Sequence, residues 1–299
     1  MGKILVIAAA IVMIAAGTGI AYTAIEHEKE KENGTEDGLF GSSGTDYSLL
    51  DPSNIVAGLT VTYTGTPYYG EYEERILVTS VNGDDVDFSD TIYTKHNDYS
   101  PHKYGMDMFK PNLFDFDYTD ENEIPNTVTV SIDGNKYTLN GSYTDSNIAY
   151  NYTFTYTSLE ITLVGGEVTG VSGITNKVHE NADQRIEQEY DYKTENTNLL
   201  SRSTLHIYTE EETSIDSFYG GWIDRYEAND YTGATITSTS GTYDGLDVTV
   251  YTVNGTVTDD DDEYNYSDYK VYVYNGYVLE CVGKINGNDQ DIRMSIFVS

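Results

Sequence analysis

The stretch Tyr137-Thr-Leu-Asn-Gly-Ser-Tyr-Thr-Asp145, followed by Tyr150-Asn-Tyr-Thr153, occurs twice in this chain. The second copy reads Tyr251-Thr-Val-Asn-Gly-Thr-Val-Thr-Asp259 and then Tyr264-Asn-Tyr-Ser267, at an offset of 114 for both pieces. Downstream, Leu159-Glu-Ile-Thr-Leu-Val-Gly-Gly-Glu-Val168 aligns with Tyr269-Lys-Val-Tyr-Val-Tyr-Asn-Gly-Tyr-Val278, the offset now 110. Upstream, Gly58-Leu-Thr60 matches Gly173-Ile-Thr175, and Ile92-Tyr-Thr94 matches Ile207-Tyr-Thr209. Self-similarity at a fixed long period marks a duplicated unit. The two copies run from 58 to 172 and from 173 to 299.

Within each copy the pattern is β. Leu59-Thr-Val-Thr-Tyr63 alternates, and Ile76-Leu-Val-Thr-Ser-Val81 leads into Asn82-Gly83, a strong hairpin signal. Val128-Thr-Val-Ser-Ile132, Asp133-Gly134 and Lys136-Tyr-Thr-Leu139 read as strand, turn and strand. A turn at Gly165-Gly166 pairs Leu163 with Val168, and one at Asn275-Gly276 pairs Val273 with Val278. With Ile161 and Val271, these positions form the core face. The opposite face is Thr162, Val164, Glu167 and Thr169 in the first copy, but Tyr272, Tyr274, Tyr277 and Leu279 in the second. That aromatic stripe either packs under a neighbouring segment or forms a contact surface for a partner, glycan or apolar ligand. The expected fold is all-β with minor helix: two tandem antiparallel curved-sheet or meander repeats. The segment 179–190 has helix-forming composition, so a short helix there competes with strand.

Pro101–Asp117 lacks clean periodicity and is rich in large apolar residues: Met106, Met108, Phe109, Phe114 and Phe116. It reads as a loop with a short helix that plugs one end of the sheet or lines an apolar pocket. Thr213–Ile223 is its shorter counterpart.

Ile4–Ile25 is apolar, uncharged and long enough to span a bilayer as a helix. Residues 1–25 are therefore expected to be a transmembrane signal anchor, or a signal peptide cleaved after Ala21. Residues 26–53 follow as an acidic tether that becomes rich in Gly and Ser. The bulk of the chain is expected outside the cell membrane.

The formal net charge is −34, from 50 Asp and Glu against 16 Lys and Arg. Such a charge repels nucleic acid and anionic lipid, so nucleic-acid binding is not expected. A single cysteine, Cys281, excludes an internal disulfide framework. It aligns with Val171, which argues for a small apolar side chain rather than a nucleophile. The motifs of serine hydrolases, zinc proteases, P-loops and dinucleotide folds are missing, and no catalytic residue, cofactor or metal site is expected. Asp259-Asp-Asp-Asp-Glu263 offers hard oxygen ligands for calcium, without the spacing of a calcium loop. His96 and His102 flank Asp98 too loosely for a metal signature. Asn33, Asn140, Asn151, Asn254 and Asn265 head Asn-x-Ser/Thr sequons and are candidate glycosylation sites.

One span, an acidic tether and tandem Tyr/Thr/Asn-rich β modules together resemble anchored archaeal cell-surface proteins, those of methanogens included. The resemblance implies a cell-envelope role in adhesion, structure or ligand capture. Met1-Gly2 before an apolar helix is similar to the start of type IV pilin-like proteins, departing from it in lacking a basic residue before Gly2 and in carrying Ile7 where Glu is usual. A curved sheet closed by the Met/Phe-rich segment resembles the half-barrels of periplasmic lipoprotein carriers, which implies a tethered carrier of a hydrophobic ligand as the rival reading.

Overall fold

The computed structural model describes residues 44–67, 70–111, 116–146, 151–259 and 262–299. The expected span at 4–25, most of the tether, Asn33, Phe114, Asp260 and Asp261 lie outside these residues. Among the described residues no helix is long and apolar enough to cross a membrane.

The expectation of an all-β chain holds: among the described residues, fourteen antiparallel strands form one open sheet. In chain order they are β1 (Leu59–Gly65), β2 (Glu71–Asn82), β3 (Asp85–Pro101), β4 (Val128–Asp133), β5 (Lys136–Ser146), β6 (Asn151–Val164) and β7 (Glu167–Glu180). There follow β8 (Gln184–Glu195), β9 (Asn198–Ser214), β10 (Thr235–Tyr243), β11 (Leu246–Asp259), β12 (Asp262–Tyr274), β13 (Tyr277–Ile285) and β14 (Asn288–Val298). Across the sheet the order is β10-β11-β12-β13-β14-β1-β2-β3-β9-β8-β7-β6-β5-β4. One meander starts at an edge with β4 and returns to β3. The other starts at the opposite edge with β10 and returns to β1. The connections that reach those edges carry the two apolar segments singled out from the sequence.

Two-residue turns join most neighbours, and the first residue of each sits at positive φ, as tight hairpin turns require. These include Gly83, Gly134, Gly165, Asn196, Asp244, Asn275 and Asn286. Leu163 pairs with Val168 and Val273 with Val278, as the turn residues predict. The helix-forming composition of 179–190 yields to strand. Asn181 Oδ1 accepts the amides of Asp183 and Gln184 in a turn, and β7 and β8 pair on either side of it. Local propensity of that size is routinely overridden by pairing with neighbours.

The chain divides into two compact units. Among the described residues, one comprises the chain through Ile92 with Glu210–Ser299, and the other is Tyr93–Thr209. This partition differs from the repeat boundary at 172/173, which falls inside β7. In the Tyr93–Thr209 unit, Leu139, Tyr156, Leu159, Ile161, Val171 and Tyr192 form a core on which Phe109, Phe116 and Tyr118 close. Met106 and Met108 pack at its margin, so the Met/Phe-rich segment fills this core; Gly105–Phe109 is a single 3-10 turn. In the other unit, one cluster gathers Leu59, Val61, Ile76, Val78, Phe88, Phe218, Tyr219, Leu279 and Ile296. A second gathers Val253, Tyr266, Tyr269, Val271, Val278 and Cys281 under Tyr231.

The repeated Asn-Gly lies inside a strand in both copies, not at a turn. The β5–β6 register slips between Leu139 and Gly141, and the β11–β12 register slips between Val253 and Gly255. At both bulges the Asn Oδ1 accepts a backbone N–H from a partner-strand residue in the left-handed region. Ser158 (φ 47°) donates to Asn140 over 2.8 Å, and Asp268 (φ 48°) donates to Asn254 over 2.9 Å. The next strand then passes so close that it needs glycine: a Cβ at Gly173 would overlap the Ser158 carbonyl, and one at Gly283 would lie 2.5 Å from Tyr269 Cα. Bulges of this kind bend a sheet and sharpen its twist.

The copies differ at the bulge glycine. A Cβ at Gly141 (φ 114°) would overlap the Thr127 carbonyl, whereas at Gly255 (φ 117°) it would meet Ala234 Cα at 3.4 Å, ordinary contact. Gly255→Ala should therefore cost only the backbone term, about 1–3 kcal/mol. Gly141→Ala should cost about 3 kcal/mol or more, because a clash is added to the same term. Urea unfolding of both variants decides; equal midpoints would refute this account of the corner.

Candidate functional site: a tyrosine-lined cleft at the second hairpin

The β12–β13 hairpin is covered on both sides. Val271, Val273, Val278 and Cys281 face one cluster, while Tyr277 and Leu279 are buried in the other, with Tyr272 and Tyr274 packed at its edge. Of the two alternatives for these four residues, packing under neighbouring segments describes Tyr277 and Leu279, which are 5% exposed and fully buried. A bulge contributes, because Tyr272 pairs with Glu280 and Val273 with Val278, which sets Leu279 out of the ladder. The matching face of the first copy is open, with Val164 55% exposed.

Two segments cover the aromatic face. Asp46 takes the Ser48 amide and hydroxyl, and Asp51 takes those of Ser53, so Tyr47–Leu50 and Pro52–Asn54 fold as two short 3-10 turns. Asn54 Nδ2 ties them by donating to the Ser48 carbonyl. Tyr219 then donates its hydroxyl to the Leu49 carbonyl over 2.7 Å and stands edge-on to Tyr277. The second segment is Asp224–Tyr226. Val278 N–H donates to the Asp224 carbonyl and Tyr226 N–H to the Gly276 carbonyl, which lays Arg225 across the hairpin end. The Asp224 amide itself donates to the Tyr63 hydroxyl, fixing this segment to β1.

Between these segments an open cleft of about 490 Å³ remains. Tyr47, Tyr274 and Tyr277 supply its rings, and Ser48, Asp51, Asn54, Arg225 and Asn275 its polar groups. The Arg225 guanidinium lies 4.8 Å above the Tyr277 ring. Tyr47 and Tyr274 meet edge to face at 6.4 Å, and the Tyr47 hydroxyl donates to Asp244. Burial and the Asp244 carboxylate push the Tyr47 phenol up, so it stays a neutral donor. The Ser53 hydroxyl and amide hold Asp51 below the usual carboxylate range, keeping it charged. Gly276 gives Arg225 its place, since a Cβ there would come within 3.1 Å of the guanidinium.

Other candidates from the sequence do not converge on this cleft. Asn140, Asn151, Asn254 and Asn265 are exposed, with Asn140 and Asn254 also serving the bulges. Of Asp259–Glu263, Asp260 and Asp261 lie outside the described residues, while Asp259, Asp262 and Glu263 belong to the paired ends of β11 and β12. His96 Nδ1 contacts the Asp98 carbonyl, whereas His102 packs against Tyr190 and Tyr192, where burial lowers its pKa. Among the described residues, no three His, Cys, Asp or Glu side chains are placed to hold a metal ion. Tyr47, Asp51, Asn54 and Arg225 had no signal in the sequence, because only long-range pairing brings them together.

Cys281 is 1% exposed, opposite Val271, just as Val171 is buried opposite Ile161. Burial pushes its thiol up to about 12, and the same cause raises Tyr63, Tyr192, Tyr231 and Tyr269 well above their ordinary range. These groups hold their protons longer folded than unfolded. Their contribution to stability is full below the unfolded thiol value near pH ~8.5 and falls as pH rises towards ~12. Urea midpoints should be flat from pH 7 to 8 and drop steadily above about pH 9. Alkylation of Cys281 at pH 8 should require unfolding; rapid reaction of the folded chain would contradict this packing. Arg225→Gln removes an exposed cation from one ring and should cost about 0.5–1 kcal/mol in the same assay. Compared with protein-family models, with curated proteins and with solved structures, the chain matches none.

Proposed function

We propose that this chain is a membrane-anchored extracytoplasmic surface protein with a binding role, and that the Tyr47/Arg225/Tyr274 cleft is where it binds. The observation that carries the reading is Arg225 itself. In a chain of net charge −34, this arginine forms no ion pair among the described residues and lies over a tyrosine at the floor of a cleft. Concave sites with aromatic walls and a few convergent polar groups are the usual form of binding sites. Four exposed sequon asparagines are consistent with a glycosylated, exported chain.

The carrier reading draws less support. Phe109 and Phe116 are 2% and 6% exposed within a packed core, where a pocket lining would be expected to leave ring faces open. A pilin-like subunit rests on the first residues alone.

N-terminal sequence and intact mass of the native protein test the location. An unprocessed start with added sugar mass is expected; cleavage after Gly2 would favour the pilin reading, and cleavage after Ala21 a secreted protein. Retention by sedimented envelopes of the source cells tests the role. Freed of residues 1–25, the wild-type chain should sediment, the same form carrying Arg225→Gln should stay largely in solution, and equal retention of the two would end the assignment of the cleft.

A further inference from the structure

We propose that the cleft takes an uncharged pyranose, the terminal or exposed residue of a neutral glycan. The inference rests on the binding reading above and narrows it to one ligand class.

Charge excludes the simplest alternatives. Arg225 and Asp51 line the same cleft, and Asp244 holds the Tyr47 hydroxyl at its rim. A net anion would approach Arg225 through the field of a strongly acidic protein and past Asp51. A net cation would meet the Arg225 guanidinium, which already covers the Tyr277 ring that would otherwise receive it. An apolar ligand would desolvate Arg225 and Asn275 with no hydrogen-bond partner, and would leave Asp51 and Asn54 only their local bonds to Ser53 and Ser48, at a large cost.

A neutral polyol meets none of these objections. The Arg225 guanidinium and the Asn275 amide are planar groups with neighbouring donors or acceptors, matched in spacing to adjacent hydroxyls of a sugar ring. Neither makes a hydrogen bond to another described residue, and neither does the Tyr274 hydroxyl. Asn54 spends Nδ2 on the Ser48 carbonyl, which fixes the amide and leaves Oδ1 for a ligand. The Tyr47 and Tyr274 rings, set at 60° to one another, offer apolar surface to the C–H face of a pyranose. Held by tertiary contacts at Leu49, Asp224 and Gly276, these groups are positioned before any ligand arrives.

Saturation-transfer NMR on the folded chain tests this, with methyl glycosides of glucose, galactose, mannose and N-acetylglucosamine as probes. Glucuronate and tetramethylammonium serve as the anionic and cationic comparators. At least one neutral glycoside should bind. Arg225→Gln and Tyr274→Leu should each weaken it tenfold or more, while Tyr274→Phe, which keeps the ring, should stay within about threefold. Matching far-UV spectra, with a cooperative urea transition lowered by no more than the small loss expected for Arg225→Gln, exclude misfolding as the cause. Tighter binding of glucuronate or tetramethylammonium than of every glycoside would overturn the inference while leaving a binding cleft. Binding that none of these variants alters would overturn it too, by placing the sugar elsewhere. No binding of any probe overturns the inference alone if envelopes still retain the chain through Arg225, and the wider reading with it if they do not.

Discussion

The hydrogen bond from a left-handed residue to the Asn of an Asn-Gly bulge is the constraint on which this sheet depends. Ser158 to Asn140 and Asp268 to Asn254 are the same device, and each needs a glycine at the bulge and another on the following strand. A strand is periodic in two residues, so inserting one would turn its whole apolar set to the wrong face. The bulge absorbs the extra residue locally and keeps Leu139 and Leu159, or Val253 and Tyr269, on the buried side. The asparagine side chain takes an amide that the broken ladder would otherwise leave without a partner.

Much of this was legible in the sequence because glycine and asparagine mark positive φ wherever it is needed. The turns at Gly165-Gly166 and Asn275-Gly276, and the register they impose, follow from those residues. The same property hid the bulges. Asn-Gly inside a strand and Asn-Gly at its end have one local signature, and only the partner strand distinguishes them. At Asn140 and Asn254 the sequence therefore shows a repeat and a sequon, but not a corner. The stretch 179–190 misleads in the opposite direction: its residues favour helix, and pairing of β8 with both β7 and β9 settles it as strand.

The cleft was half legible. Alternation along Tyr272–Leu279 shows that the second copy carries rings where the first does not, and that difference is real. What covers them is not written locally, because Tyr47–Asn54 lies more than 200 residues away and reaches the hairpin through Tyr219 and the β1–β14 pairing. Tyr272 and Leu279 are thus taken up by the core and its margin, and Tyr274 and Tyr277 become the wall of a cleft whose polar groups come mostly from elsewhere.

The sequence repeat sharpens the meaning of that asymmetry. Two copies that share their bulges, their hairpin register and the buried pair at Val171 and Cys281 are under the same folding constraint. A face on which they differ is released from it. In the first copy that face holds Thr162, Val164, Glu167 and Thr169, with Glu167 paired to Lys110 at 3.0 Å, an exposed ion pair of small energetic consequence. In the second it holds Tyr274 and Tyr277 beneath an arginine that forms no ion pair among the described residues. Tyr277 also serves the core, whereas Tyr274 stands at its margin, and both line the cleft. The cleft lies on the hairpin face on which the two copies differ.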